Sequence, residues 1–122
     1  MEDKTGYLLV REHERFQAKQ RALVLLTQIP ESFPFHIIDI SEGGLSFSYL
    51  GAKIDIKGKF PVSLYYDQEM IVEDLPVKAV SDIQLSNVLV PVRRGSLCFE
   101  SLDDNQQHSL SVFIKTCTES RH

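Results

Sequence analysis

Two arginines near the start of the chain, Arg11 and Arg15, and two polar residues further on, Asp39 and Ser41, have the types and spacing that recognition chemistry requires. Arg11 and Arg15 are four apart, close to one helical turn and an even step along a strand, so either conformation keeps them on one face. Two guanidinium forks on one face suit phosphate oxygens, the O6 and N7 edge of guanine, and stacking on a purine ring. In residues 35–41 the apolar Ile38 and Ile40 are expected to face a core, which turns Asp39 and Ser41 together to the opposite face. A carboxylate placed there can accept from the N1 and N2 donors of guanine, and the hydroxyl can donate or accept. Gly44 follows where the chain turns, and a positive φ or the close approach of a ligand would select glycine. Each feature also fits a plainer reading: a pair of solvated arginines beside Glu12 and Glu14, and an ordinary hairpin with a polar outer face.

The rest of the chain has to position these groups. Its 122 residues and 43% apolar content suit one domain with a single packed core. The net charge of -4 disfavours broad association with nucleic acid or anionic membrane, so an anionic ligand has to be held by a local cluster of cations. No apolar run approaches the length of a spanning helix, and the opening residues carry acids instead of a basic leader; the expectation is a soluble, unprocessed, cytoplasmic protein with no membrane insertion. Cys98 and Cys117 lack C-x-x-C spacing and are expected to be reduced. The histidines are scattered without zinc-ligand spacing, and no Ser/His/Asp order or Gly-rich phosphate loop stands out. No catalytic residue, metal or cofactor is therefore expected.

From Phe16 onward, turn residues punctuate short stretches rich in Val, Ile, Leu, Phe and Tyr, the rhythm of a small β-barrel or sandwich. Strands are expected over residues 21–28 and 35–41. After a turn at Gly43 and Gly44, Leu45, Phe47 and Tyr49 alternate with Ser46 and Ser48, forming a hairpin with the preceding strand. Further strands are expected over 60–66, 70–72, 76–84 and 92–101, joined at Asp67-Gln68, at Asp74 and around Ser86 and Asn87, which makes six or seven. The period then changes: Leu110, Phe113, Ile114 and Cys117 lie on one helical face, and Asp103 with Gln106 forms an Asp-x-x-Gln capping box ahead of it. The expected fold is all-β with one C-terminal helix closing the barrel. Residues 1–15, polar and charged, are expected to be a flexible arm, and residues 16–119 the barrel with its helix.

Arg11-x-x-x-Arg15, within REHERF, and Asp39-x-Ser41-x-x-Gly44, within DISEGG, together resemble the two-part signature of the PilZ domain family. The segment RRGSLCFESLDDNQQHSLSVFI resembles that family's closing strand and helix, and the likeness spans residues 10–116. The resemblance implies a six-stranded antiparallel β-barrel with a C-terminal helix, and cyclic di-GMP as ligand, often bound as an intercalated dimer. It implies that Arg11 and Arg15 contact phosphate and guanine from a loop that wraps the ligand, while Asp39, Ser41 and Gly44 line the barrel side. Glu12 and Glu14, between the arginines, depart from the commoner basic pattern and lower the local positive potential.

The expected function is that of a sensing module and not an enzyme: cyclic di-GMP orders the arm, and an unidentified effector protein reads the changed surface of a monomer or homodimer. The alternative is a PilZ-like adaptor that works by protein contact without nucleotide. Binding to a nucleic-acid polymer is disfavoured by the acidic balance and by the lack of aromatics interleaved with basic residues. Arg93 and Arg94 either flank the site or are exposed strand-end cations, the latter being the default.

Overall fold

A computed structural model of the chain describes residues 14–27, 34–55, 58–87 and 89–119. Its strands are β1 (Phe16–Gln17), β2 (Ala22–Leu26), β3 (Phe35–Ile40), β4 (Gly44–Leu50), β5 (Lys59–Tyr66), β6 (Glu69–Asn87) and β7 (Pro91–Phe99), followed by the helix α1 (Asp104–Cys117). The order β3-β2-β5-β6-β7-β4 closes through a β3–β4 pairing, so six antiparallel strands form a barrel, and the two-residue β1 continues the β2 side of β3. Among the described residues no helix is long and apolar enough to cross a membrane.

Alternation builds the interior. Ala22, Val24 and Leu26 of β2, Leu45, Phe47 and Tyr49 of β4, and Phe60, Val62 and Leu64 of β5 point into one core. The helix adds Leu110, Phe113, Ile114 and Cys117 to the same cluster, the face that the sequence periodicity marks. Its capping box is complete: Asp103 accepts from the Gln106 amide at 2.7 Å, and the Gln106 side chain accepts from the Asp103 amide at 2.9 Å. Beyond the helix, Thr118 bridges Ala18, and the Glu119 amide donates to the Gln17 carbonyl at 2.9 Å, which ties the end of the helix to the start of the barrel.

Two departures from the sequence reading have local causes. Strands expected over 70–72 and 76–84 are one continuous β6. Asp74, with φ 54°, does not end the strand; it is absorbed as a bulge opposite Ser63, whose hydroxyl accepts from the Asp74 amide at 3.2 Å. In β3 a bulge falls between Ile37 and Asp39, so Ile37 and Ile40 are buried and Ile38 is turned partly outward. Asp67 and Gln68, both at positive φ, make the tight β5–β6 turn expected of them. Pro61 and Pro76 face each other at positions just past the ends of β2 and β7, where a missing N–H removes no ladder hydrogen bond.

Two glycines set the closeness of β4 to β7. A Cβ on Gly95 would lie 2.6 Å from the Phe47 ring, and one on Gly44 would lie 2.2 Å from the Leu97 carbonyl oxygen. Phe47 in turn stacks with Phe35 and Tyr49 at centroid distances of 5.4 and 5.7 Å. Gly95→Val is therefore expected to destabilise the fold by about 1–3 kcal/mol through overpacking. Phe47→Leu in the same chain is expected to recover part of that loss, a coupling that urea unfolding of the single and double variants measures.

Candidate functional site

The β3 bulge leaves Asp39 on the outer face of the barrel, paired across the strands with Ser46 of β4. Ser46 in turn faces Ser96 of β7, and two residues earlier on β7 Arg94 lies opposite Ser48. Three adjacent strands thus bring an acid, a hydroxyl and a guanidinium together. Ser46 Oγ donates to Asp39 Oδ1 at 2.7 Å, and Arg94 Nη2 donates to Asp39 Oδ2 at 3.0 Å and to Ser46 Oγ at 3.1 Å. From the segment that leads into β1, Arg15 Nη1 reaches Asp39 Oδ1 at 2.7 Å. Both oxygens of one carboxylate, 20% exposed, are thereby held by two guanidiniums.

Arg15 and Arg94 stand at the edge of an open groove of about 1220 Å³, which Ser41 and Gly44 line from the β3–β4 turn and Gln107 and His108 from α1. Of the expected site residues, Arg15, Ser41 and Gly44 line it. Arg15 and Asp39 are in direct contact. Ser41 is buried, and its hydroxyl is engaged within the turn, accepting from the Gly43 amide at 3.1 Å, instead of projecting beside Asp39. The turn itself runs through Ser41 to Gly43, and Gly44 opens β4 at an ordinary strand position where the β7 backbone, not a positive φ, leaves no space for a side chain. Arg11 lies outside the described residues, as does the expected arm over residues 1–15 apart from Glu14 and Arg15.

Sequence reasoning passes over Ser46 and assigns Arg94 by default to an exposed strand end, with a place beside the site as the alternative; the structure sets Arg94 against Asp39. Ser46 was within reach, since alternation with Leu45 and Phe47 turns it to the face that Asp39 occupies. Arg94 joins the site through the β4–β7 register, which no local pattern announces. Its neighbour Arg93, one residue away and so on the other face, belongs to a separate cluster at the barrel mouth. There Arg93 Nε donates to Asp82 Oδ1 at 2.7 Å, the Tyr49 hydroxyl donates to Asp82 Oδ2, and that hydroxyl accepts from the Ile54 amide at 3.1 Å. The hydrogen bond to Asp82 holds the Arg93 guanidinium above its ordinary range, against partial burial. This cluster anchors the segment after β4 across the mouth.

The fold is that of a PilZ domain. The PilZ domain of Escherichia coli YcgR with c-di-GMP superposes at a TM-score of 0.69 and 16% identity, covering 88% of this chain and 90% of that one. The K. pneumonia MrkH–c-di-GMP complex superposes at a TM-score of 0.67 and 15% identity over 86% of this chain. The apo state of MrkH gives 0.63 and 13% over 85%. The matched region is 51% and 47% of those two chains, so this chain spans about half the length of MrkH. No family model and no curated protein matches the chain.

Burial, and then the hydrogen bond to Asp82, push the Tyr49 phenol above its ordinary value of 10.0. A raised folded value means that the stability contributed by the protonated phenol is intact below pH 10 and is lost as pH rises through the folded value. Urea midpoints measured from about pH 9 to about pH 11 are expected to fall more steeply for the wild type than for Tyr49→Phe.

Proposed function

We propose that this domain binds cyclic di-GMP in the groove beside Asp39 and passes the signal to a partner protein through ordering of its N-terminal arm. The observation that carries the reading is the double clamp on Asp39: two arginines and a carboxylate meet at the edge of a groove on a PilZ barrel. Two of the matched proteins are described as holding c-di-GMP, and the same chemistry suits the residues here. Guanidiniums satisfy phosphate oxygens and the Hoogsteen edge of guanine, and the carboxylate satisfies its N1 and N2 donors.

In this reading the ligand exchanges one partner of Asp39. Arg15 leaves the carboxylate for a phosphate, trading one charge-assisted bond for another, while Arg94 and Ser46 keep the carboxylate aimed. Partly exposed ion pairs are worth roughly 1 kcal/mol, so releasing Arg15 is a small expense against the bonds gained. Arg11 joins from the arm. Ser41 serves by fixing the turn, and Gly44 by letting β4 lie against β7 below the groove. The free Cys98 and Cys117 suit a reducing compartment, the cytoplasm. The role is that of a receptor and not an enzyme.

One observation favours the adaptor without nucleotide as a second reading. Both Asp39 oxygens already have protein partners, Oδ1 in Arg15 and Ser46 and Oδ2 in Arg94, so the carboxylate is held without a ligand.

Calorimetric titration separates the two. Saturable binding of cyclic di-GMP but not GTP is expected, weakening as salt rises. Arg15→Ala and Asp39→Ala are each expected to lower affinity by about 10- to 100-fold, equivalent to ~1.5–3 kcal/mol for a charged hydrogen bond. A folded wild type that gives neither heat nor thermal stabilisation overturns the receptor reading and leaves the adaptor.

A further inference from the structure

Residues 16–19 lie between two other stretches of the chain. On one side Phe16 pairs with Ile40 and Gln17 with Asp39, and the Ala18 amide donates to the Ile38 carbonyl at 3.1 Å. On the other side the Lys19 amide donates to the Cys117 carbonyl and the Glu119 amide to the Gln17 carbonyl, each at 2.9 Å, around the Ala18–Thr118 bridge. Lys19 Nζ adds a bond to the Thr116 carbonyl at 3.1 Å. Ala18, Cys117 and Thr118 are buried at this junction. Residues 117–119 thus dock on a short strip of chain whose other side is the strand that carries Asp39.

The ion pair at the groove acts on that same strip. Arg15, one residue ahead of β1, bonds Asp39 Oδ1 at 2.7 Å, and Asp39 is the ladder partner of Gln17. A strand of two residues contributes few ladder bonds, and elements with few such bonds open locally well before a domain unfolds. The hold of β1 on β3 therefore leans on the Arg15–Asp39 pair, and the hold of residues 117–119 leans on β1. Burial pushes the Cys117 thiol above its ordinary range, so it is unreactive while the junction is closed.

We propose that the Arg15–Asp39 pair and the docking of residues 117–119 open and close together, so that an occupant of the groove that draws Arg15 from Asp39 releases the C-terminal end of α1 from the barrel. The coupling belongs to the ligand-free chain; that cyclic di-GMP is the occupant rests on the nucleotide reading. The surface offered to a partner then includes the last turn of α1, where release uncovers Cys117. The signal reaches it through backbone bonds: Asp39 holds Arg15, β3 holds β1, and β1 holds the residues after the helix.

Thiol labelling of Cys117 in a Cys98→Ser chain reads the junction directly. Arg15→Ala and Asp39→Asn are each expected to speed labelling about fivefold, as suits the loss of a partly exposed ion pair. Lys59→Ala, which breaks the Lys59–Glu100 pair at 3.6 Å, is expected to label like the parent. Hydrogen exchange at the Lys19 and Glu119 amides is expected to rise in the first two variants while the β2–β5 ladder keeps its rates. Cyclic di-GMP, at a concentration that calorimetry shows to saturate the Cys98→Ser chain, is expected to speed labelling likewise. Labelling and exchange that neither variant alters overturn the coupling, and so does a rise shared equally with the β2–β5 amides, which reports loss of fold stability. Variants that speed labelling in a chain to which cyclic di-GMP does not bind overturn the nucleotide reading and support the coupling; a bound ligand that leaves labelling unchanged overturns the release of the end of α1.

Discussion

The Asp39 carboxylate is the constraint on which the candidate site depends. It projects from the outer face of a barrel strand, 20% exposed, and it is held in place by three hydrogen bonds, from Arg15, Ser46 and Arg94, with a fourth bond joining Arg94 to Ser46. Without cations on both oxygens an acid so placed would lose hydration with little in return. With them, it draws Arg15 onto the barrel and fixes where the chain enters β1. The contact therefore organises the segment that leads into β1, and it keeps a carboxylate and two guanidiniums together beside the groove.

Barrel geometry makes that cluster possible. Asp39 faces outward because β3 bulges between Ile37 and Asp39, and Arg94 reaches it through the β4–β7 register, in which Gly44 lies against the Leu97 carbonyl and Gly95 against the Phe47 ring. Ser46, 1% exposed, sits between the two and transmits the packing of the strands into the orientation of the carboxylate. The alternation that points Arg94 outward points Arg93 toward the mouth, where Asp82 and Tyr49 receive it. Adjacent arginines thus serve two unrelated clusters, one at the groove and one that pins the segment after β4.

Features written in local periodicity were legible in the sequence. The buried face of α1, its capping box, the alternation in β4 and the Asp67-Gln68 turn all follow from residues near one another in the chain. Arg15 and Asp39 were legible as candidates because their chemistry and spacing stand out before any fold is known. What stayed hidden depends on cross-strand pairing. The run Phe35–Ile40 carries isoleucine at 37, 38 and 40, and alternation alone favours 38 with 40; only the pairing with β4 reveals the bulge that selects 37 with 40. Asp74 has the composition of a turn, and only its partner Ser63 shows it to be a bulge within a longer strand. The need for glycine at position 44 comes from a β7 carbonyl far along the chain.

The most direct test of this account is side-chain NMR of the arginine guanidiniums, with and without saturating cyclic di-GMP. In the ligand-free protein Arg15 and Arg94 are expected to give distinct Nε–Hε and slowly rotating Nη–H signals, as held guanidiniums do. On saturation the Arg15 signals are expected to move to those of a phosphate-bound group, and Asp39→Asn is expected to abolish the ligand-free restraint on both arginines. Freely rotating guanidiniums in the ligand-free protein, or an Arg15 that is unaltered at saturation, would contradict an Asp39-centred clamp that exchanges its partner for ligand.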